Sequence, residues 1–133
     1  MQTQEFLGQV QAKAHLATLG EAMQATRATL ETLAERLGPD EAQRLAAPLP
    51  HEIQLLLIEA SALLPERFSS IEFLLRVCAR EGIDLSESTH HAKAVIDVLT
   101  QALSPDEAID VLDRLPDDYR QLFPVGEREM SRQ

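Results

Sequence analysis

Much of this chain of 133 residues occurs twice, and that constrains its fold more than any other feature. The stretch TQEFLGQVQAKA matches SIEFLLRVCARE, pairing Glu5 with Glu72, Phe6 with Phe73, Leu7 with Leu74 and Val10 with Val77. After a one-residue slip, GPDEAQRLAAPLPHEIQLLL matches SPDEAIDVLDRLPDDYRQLF. Here Pro39-Asp40-Glu41-Ala42 pairs with Pro105-Asp106-Glu107-Ala108, and Leu49-Pro50 with Leu115-Pro116. Shared composition does not place the same punctuation in the same order twice, so the fold is expected to be built from two copies of one unit.

Each copy reads as four helices. The first starts near Thr3 or Ser70, and Ser69 with Glu72 forms a capping-box pattern in the second copy. The second and longest helix carries Leu19, Met23, Thr26, Leu30, Leu33 and Leu37 at spacings of three and four, and its counterpart carries Leu85, Thr89, Ala92, Ile96, Leu99 and Leu103. Both stripes suit an amphipathic helix, and both starts show a capping box, Thr18 with Glu21 and Asp84 with Glu87. A third helix begins at Gly38-Pro39-Asp40-Glu41 or Ser104-Pro105-Asp106-Glu107. Proline fits the first helical position, and the acids sit at the positive end of the helix dipole. A fourth follows Pro50 or Pro116. Strand and hairpin signals are nearly missing.

The expected architecture is therefore all-α, with two tandem repeats of about four helices packed into one compact domain over residues 1–123. Repeat one spans about 3–64 and repeat two about 69–123, with 124–133 as a flexible C-terminal tail. The segment Ile53 to Ile58, continuing to Leu63-Leu64, is apolar almost all round. It is expected to be shared core between the copies.

Composition narrows the function classes. Twelve basic against 22 acidic residues leave a formal charge of -10. That disfavours duplex nucleic acid and anionic membrane surfaces, which need clustered Lys and Arg. The single cysteine, Cys78, cannot close an intrachain disulfide, which fits a reducing cytoplasm. No basic-then-apolar leader pattern and no membrane-length apolar run are present.

The assembled pattern is EFL..V, a long helix ending in LAERL, GPDEA..LAAPLP, then a second EFL..V and SPDEA..V...LPDDYRQLF. Over Glu5 to Phe123 it resembles the uncharacterised prokaryotic family known as domain of unknown function 2267. The resemblance implies a small, all-helical, tandem-repeat protein of bacteria or archaea and carries no activity, substrate or catalytic residue with it. One departure is Gly38 where the second copy has Ser104.

Few side chains suggest chemistry. Glu87-Ser88-Thr89-His90 is an E-x-x-H step, which on a helix puts both ligands on one face and makes Glu87 and His90 the metal candidates. Glu87 also has a capping role, and the first copy has Glu21 and Gln24 at the matching positions. His90 and His91 are adjacent and point about 100° apart on a helix, a poor chelate. His15 and His51 read as isolated. Cys78 has Arg76 and Arg80 nearby but no identifiable base. No phosphate-cradling loop or nucleophile elbow occurs. The leading expectation is a cytoplasmic, non-enzymatic helical protein-interaction or adaptor module, engaging another protein or itself, with no catalytic residue and no cofactor. The alternatives are a metal-binding helical protein or enzyme using Glu87 and His90, and a small-ligand sensor with its pocket between the repeats.

Overall fold

The computed structural model describes residues 1–61 and 64–123. Among the described residues there are seven α-helices, one 3-10 helix and no strand: α1 (Thr3–Ala14), α2 (Leu19–Leu37), α3 (Pro39–Ala46), α4 (His51–Ala60), α5 (Ser70–Glu81), α6 (Leu85–Ala102), α7 (Pro105–Asp113) and the 3-10 helix Asp117–Gln121. None of the helices is long and apolar enough to cross a membrane. The expected tail, 124–133, and Leu63 lie outside the described residues.

Side-chain caps set the helix starts. Thr18, Ser69, Asp84 and Ser104 each accept the backbone N–H of the acid three residues on, at 3.1, 3.2, 2.8 and 3.2 Å. The reciprocal bond, acid side chain to cap backbone, completes a capping box only at Ser104–Glu107 among the described residues, with Ser104 N–H donating to Glu107 at 2.9 Å. That bond, from the backbone first and the hydroxyl second, holds the Glu107 carboxyl below the usual range. At α5 the acid turns elsewhere, and Glu72 accepts from Arg76 at 2.9 Å.

The packing is crossed. α1 lies against α2 and α6, α5 lies against α6 and α2, and α2 and α6 touch each other. Each short first helix thus rests on its own long helix and on the long helix of the other half. α3 and α4 cover the remaining flank of α2, and α7 meets α3. One continuous apolar core runs through both halves, from Phe6 and Val10 through Leu30 and Leu33 to Phe73, Ile96 and Leu99. Ion pairs tie the crossing helices: Lys13 to Asp97 at 2.6 Å and Arg80 to Glu35 at 2.9 Å. Arg80 also donates to the Thr32 hydroxyl at 2.6 Å.

α4 is not the shared core expected of it. Only Ile53 and Leu57 are buried, whereas Leu55 and Ile58 are 38% exposed and Leu64 is 85% exposed. The enclosed helix is α2, which contacts five others and buries Ala25, Ala28, Thr29, Thr32 and Ala34 besides its leucine stripe. Small side chains let neighbours approach from several directions without raising hydropathy. A reading based on apolar content therefore ranks α4 first although its outer face is left uncovered.

The expected eighth α-helix is a single 3-10 turn. Pro124 lies just beyond it in sequence and cannot extend a helix. The turn clamps the segment between the halves. Tyr119, fully buried, donates its hydroxyl to the carbonyls of Phe68 at 2.8 Å and Ser69 at 3.2 Å. Burial pushes its phenol up to about 12. Asp118 accepts the Ser70 backbone N–H at 2.9 Å and its hydroxyl at 3.0 Å. From the other side, Glu66 N–H reaches the Glu35 carbonyl at 3.0 Å, Arg36 donates to Phe68 O at 3.3 Å, and Arg76 lies 4.1 Å over the Phe68 ring.

That crossing explains Gly38. Its backbone sits at φ 85°, ψ 173°, a region essentially reserved for glycine, and a Cβ there would lie 3.3 Å from Pro65. Ser104 has an ordinary extended φ of -69°. The first half gives up a side-chain cap at this joint so that the connecting segment can pass over it.

Candidate functional site

The corner where α1 turns into α2 faces the corner where α5 turns into α6. Two residues end the first helices in left-handed backbone: His15 at φ 56° and Gly82 at φ 69°. His15 is the only non-glycine residue with positive φ among the described residues. A left-handed conformation costs a non-glycine residue about 1 kcal/mol, with histidine among the more tolerant types.

Between the corners lies a cleft of about 570 Å³. Matched positions line it from both sides: Ala14 and Glu81, Leu16 and Ile83, Glu21 and Glu87, Gln24 and His90. His15, Ser86 and His91 complete the wall, so three of the chain's four histidines and three glutamates meet here without a Lys or Arg among the described lining residues. The volume is in the range of small-molecule sites.

The interior of the site is one hydrogen-bonded group. The Glu81 carboxylate, only 6% exposed, accepts from the Ser88 hydroxyl at 2.9 Å and contacts His91 Nδ1 at 2.8 Å. An ionised carboxylate can only accept, so Nδ1 carries the proton and Nε2 is the nitrogen left for other partners. Ser88 is fully buried. His90 turns the other way. Its ring lies 5.9 Å from that of His15 with the planes 8° apart, and 6.4 Å from His91 with a tilt of 52°. His15 and His90 also line a second cleft of about 400 Å³ carrying Lys13, Lys93 and Asp97. The stacked pair is therefore a partition between an acidic space and one of mixed charge.

The metal candidates Glu87 and His90 both line the larger cleft and are both exposed, with Glu87 N–H held by the Asp84 cap. Among the described residues no group of three His, Cys, Asp or Glu is placed to hold a metal ion. His15, expected to be isolated, is brought onto His90 by the crossed packing, whereas His51 begins α4 and is exposed. Cys78 is partly buried, and its thiol donates to the Ile83 carbonyl at 3.0 Å.

Sequence reasoning missed Glu81, Ser88 and His15. The signal was in the self-alignment, where Ala14, Ala22 and Ala25 of the first half stand against Glu81, Ser88 and His91 of the second. Three buried alanines exchanged for a carboxyl, a hydroxyl and an imidazole at one corner mark a polar cluster.

Comparison with known proteins gives a family and no activity. None of the curated proteins compared with the chain matches it. A family model described as "Uncharacterized conserved protein (DUF2267)" matches residues 3–122. With nearly its whole length covered by that model, the chain belongs to the DUF2267 family.

Proposed function

We propose that this protein is a non-enzymatic binding module, a small-ligand sensor whose ligand enters the cleft between the α1–α2 and α5–α6 corners. The observation that carries the reading is the convergence of His15, His90, His91, Glu21, Glu81 and Glu87 from both halves on one cleft of about 570 Å³. Pockets of this size with a few convergent polar groups are the usual form of a ligand site. The cleft lies between packed helices of both halves, so a bound molecule would bear on how the halves sit together. The acidic charge and lone cysteine suit a cytoplasmic protein that does not bind nucleic acid. Thermal-shift screening with small cations, anions and neutral molecules tests the reading. Hits are expected, and Ser86→Trp, which fills the cleft, should abolish them. A screen without hits, or hits indifferent to that substitution, would overturn it.

A second reading, a protein-interaction module, is favoured by the outer face of α4. Leu55 and Ile58 lie there with Glu52 and Glu59, and the helix has no Lys or Arg. The face fits an apolar, basic partner segment. Cross-linked capture of such a partner, lost on Leu55→Glu with Ile58→Glu, would support it; capture unchanged by those substitutions would remove it.

A further inference from the structure

The molecule contains its own control for the polar group at Glu81. The two halves build the same corner, a helix ending in left-handed backbone and a capped long helix beginning three or four residues later. In the first half it closes with Ala14, Ala22 and Ala25, each buried. In the second the same positions hold Glu81, Ser88 and His91. The fold thus does not need polar groups there. Burying a carboxylate costs stability unless it is fully paired. Glu81 is moreover the last residue of α5, where the helix dipole disfavours an anion. A group that the fold does not require, held in a costly place and opening onto the cleft, is best explained by what it presents to that cleft.

From this corner we infer that the cleft binds a small organic amine in its protonated form, with His91 as the acceptor that recognises it and Glu81 as the residue that positions His91. The inference rests on the cleft reading above and adds the ligand class. Three observations select an amine. First, the Glu81 contact to Nδ1 fixes the tautomer, so neutral His91 offers Nε2 as a lone pair, and an ammonium N–H can donate to it. Second, the described lining is rich in acceptors and carries no Lys or Arg: Glu21 and Glu87 flank the cleft, so a cation is attracted and a carboxylate or phosphate repelled. Third, Ala14, Leu16 and Ile83 give the same space apolar walls, which suit an alkyl stem better than a bare ion. Ser88 completes the arrangement by donating to the second Glu81 oxygen, leaving the carboxylate fixed on both sides.

Three probes sharing a four-carbon stem test this by calorimetry and thermal shift: 1,4-diaminobutane, 1,4-butanediol and butanedioate, with zinc chloride as a fourth arm. The expected result is saturable binding of the diamine alone, weakened at least tenfold by Glu81→Gln and by His91→Ala. The decisive variant transplants the first half's corner, Glu81→Ala with Ser88→Ala and His91→Ala. It should keep wild-type helicity, because that corner already folds with alanines, and lose the diamine. Should the transplant unfold, the single His91→Ala variant carries the test. Diamine binding that survives Glu81→Gln and His91→Ala overturns the inference. Binding of butanedioate, butanediol or zinc that Ser86→Trp removes, with no diamine binding, overturns the amine but leaves the cleft reading standing. No binding in any arm overturns the amine, and it overturns the cleft as well when the wider screen is also empty.

Discussion

The two halves spend their polar residues in different places. In the first half they lie along the enclosed helix: Thr26, Thr29 and Thr32 are fully buried on α2, where the second half has Ala92, Val95 and Val98. In the second the corner is polar, with Glu81, Ser88 and His91 in place of three alanines, and the long helix buries a single threonine, Thr100, near its end. The long helices otherwise follow one pattern, down to the exposed leucines that open them, Leu19 at 42% and Leu85 at 43%. The joints differ as well, glycine under the crossing chain in one half and a complete capping box in the other. The comparison separates the helical frame, which the two halves have in common, from the polar groups and joints in which they differ.

The most damaging test of that frame is truncation of the matched core leucines. Leu33→Ala and Leu99→Ala, both fully buried, should each cost about 2–5 kcal/mol in urea unfolding. Leu33 should sit at the upper end because α2 is enclosed by more neighbours. A negligible loss at both would break the register.

The joints come next. Gly38→Ser imports the second half's residue into a backbone that disfavours it and into contact with Pro65, and should cost about 1–3 kcal/mol. The reverse exchange, Ser104→Gly, should cost only about a few tenths of a kcal/mol, since glycine caps tolerably. Equal losses would mean the joints are not specialised.

The clamp on the connecting segment has no counterpart across the halves, and Tyr119→Phe tests it. Loss of the hydroxyl that serves Phe68 and Ser69 should cost about 1 kcal/mol at neutral pH. The phenol also sets an alkaline limit. An unfolded tyrosine ionises near pH 10, whereas the native one stays protonated to about 12. Between those values only the unfolded state loses its proton, so native stability falls as pH rises through that window. Thermal unfolding against pH should show that fall in the wild type and a shallower one in the phenylalanine variant.

One effect has the opposite sign. The Thr29 hydroxyl is buried without a hydrogen-bond partner among the described residues, and its counterpart is Val95. Thr29→Val should leave the fold intact and stabilise it by about 1 kcal/mol. A loss of stability would show that the hydroxyl has a partner after all.

Much of the helical frame is legible in the sequence, because it rests on local signals. Thr18, Ser69, Asp84 and Ser104 announce helix starts through bonds spanning three residues, and Pro39, Pro50, Pro105 and Pro116 mark boundaries. What could not be read depends on residues far apart. Hydropathy makes α4 look central, but burial follows the small residues of α2, whose neighbours come from both halves. The site is harder still. Glu87 and His90 could be picked out as a helical pair, but His15 reaches His90 only through the crossing of α1 onto α6. Glu81 gains its meaning from Ser88 and His91 around the next corner.

The crossed packing also bears on how the molecule comes together. α1 finds its second surface on α6, and α5 finds its own on α2, so neither half can complete its apolar faces from its own sequence. Closure must wait until residues as far apart as Glu35 and Arg80, or Lys13 and Asp97, have met, which makes long-range encounter an early requirement of folding. The same surfaces would be offered by any other copy of the chain. Two half-chains cut between α4 and α5 should therefore recombine, and crowded newly made chains can exchange halves with one another.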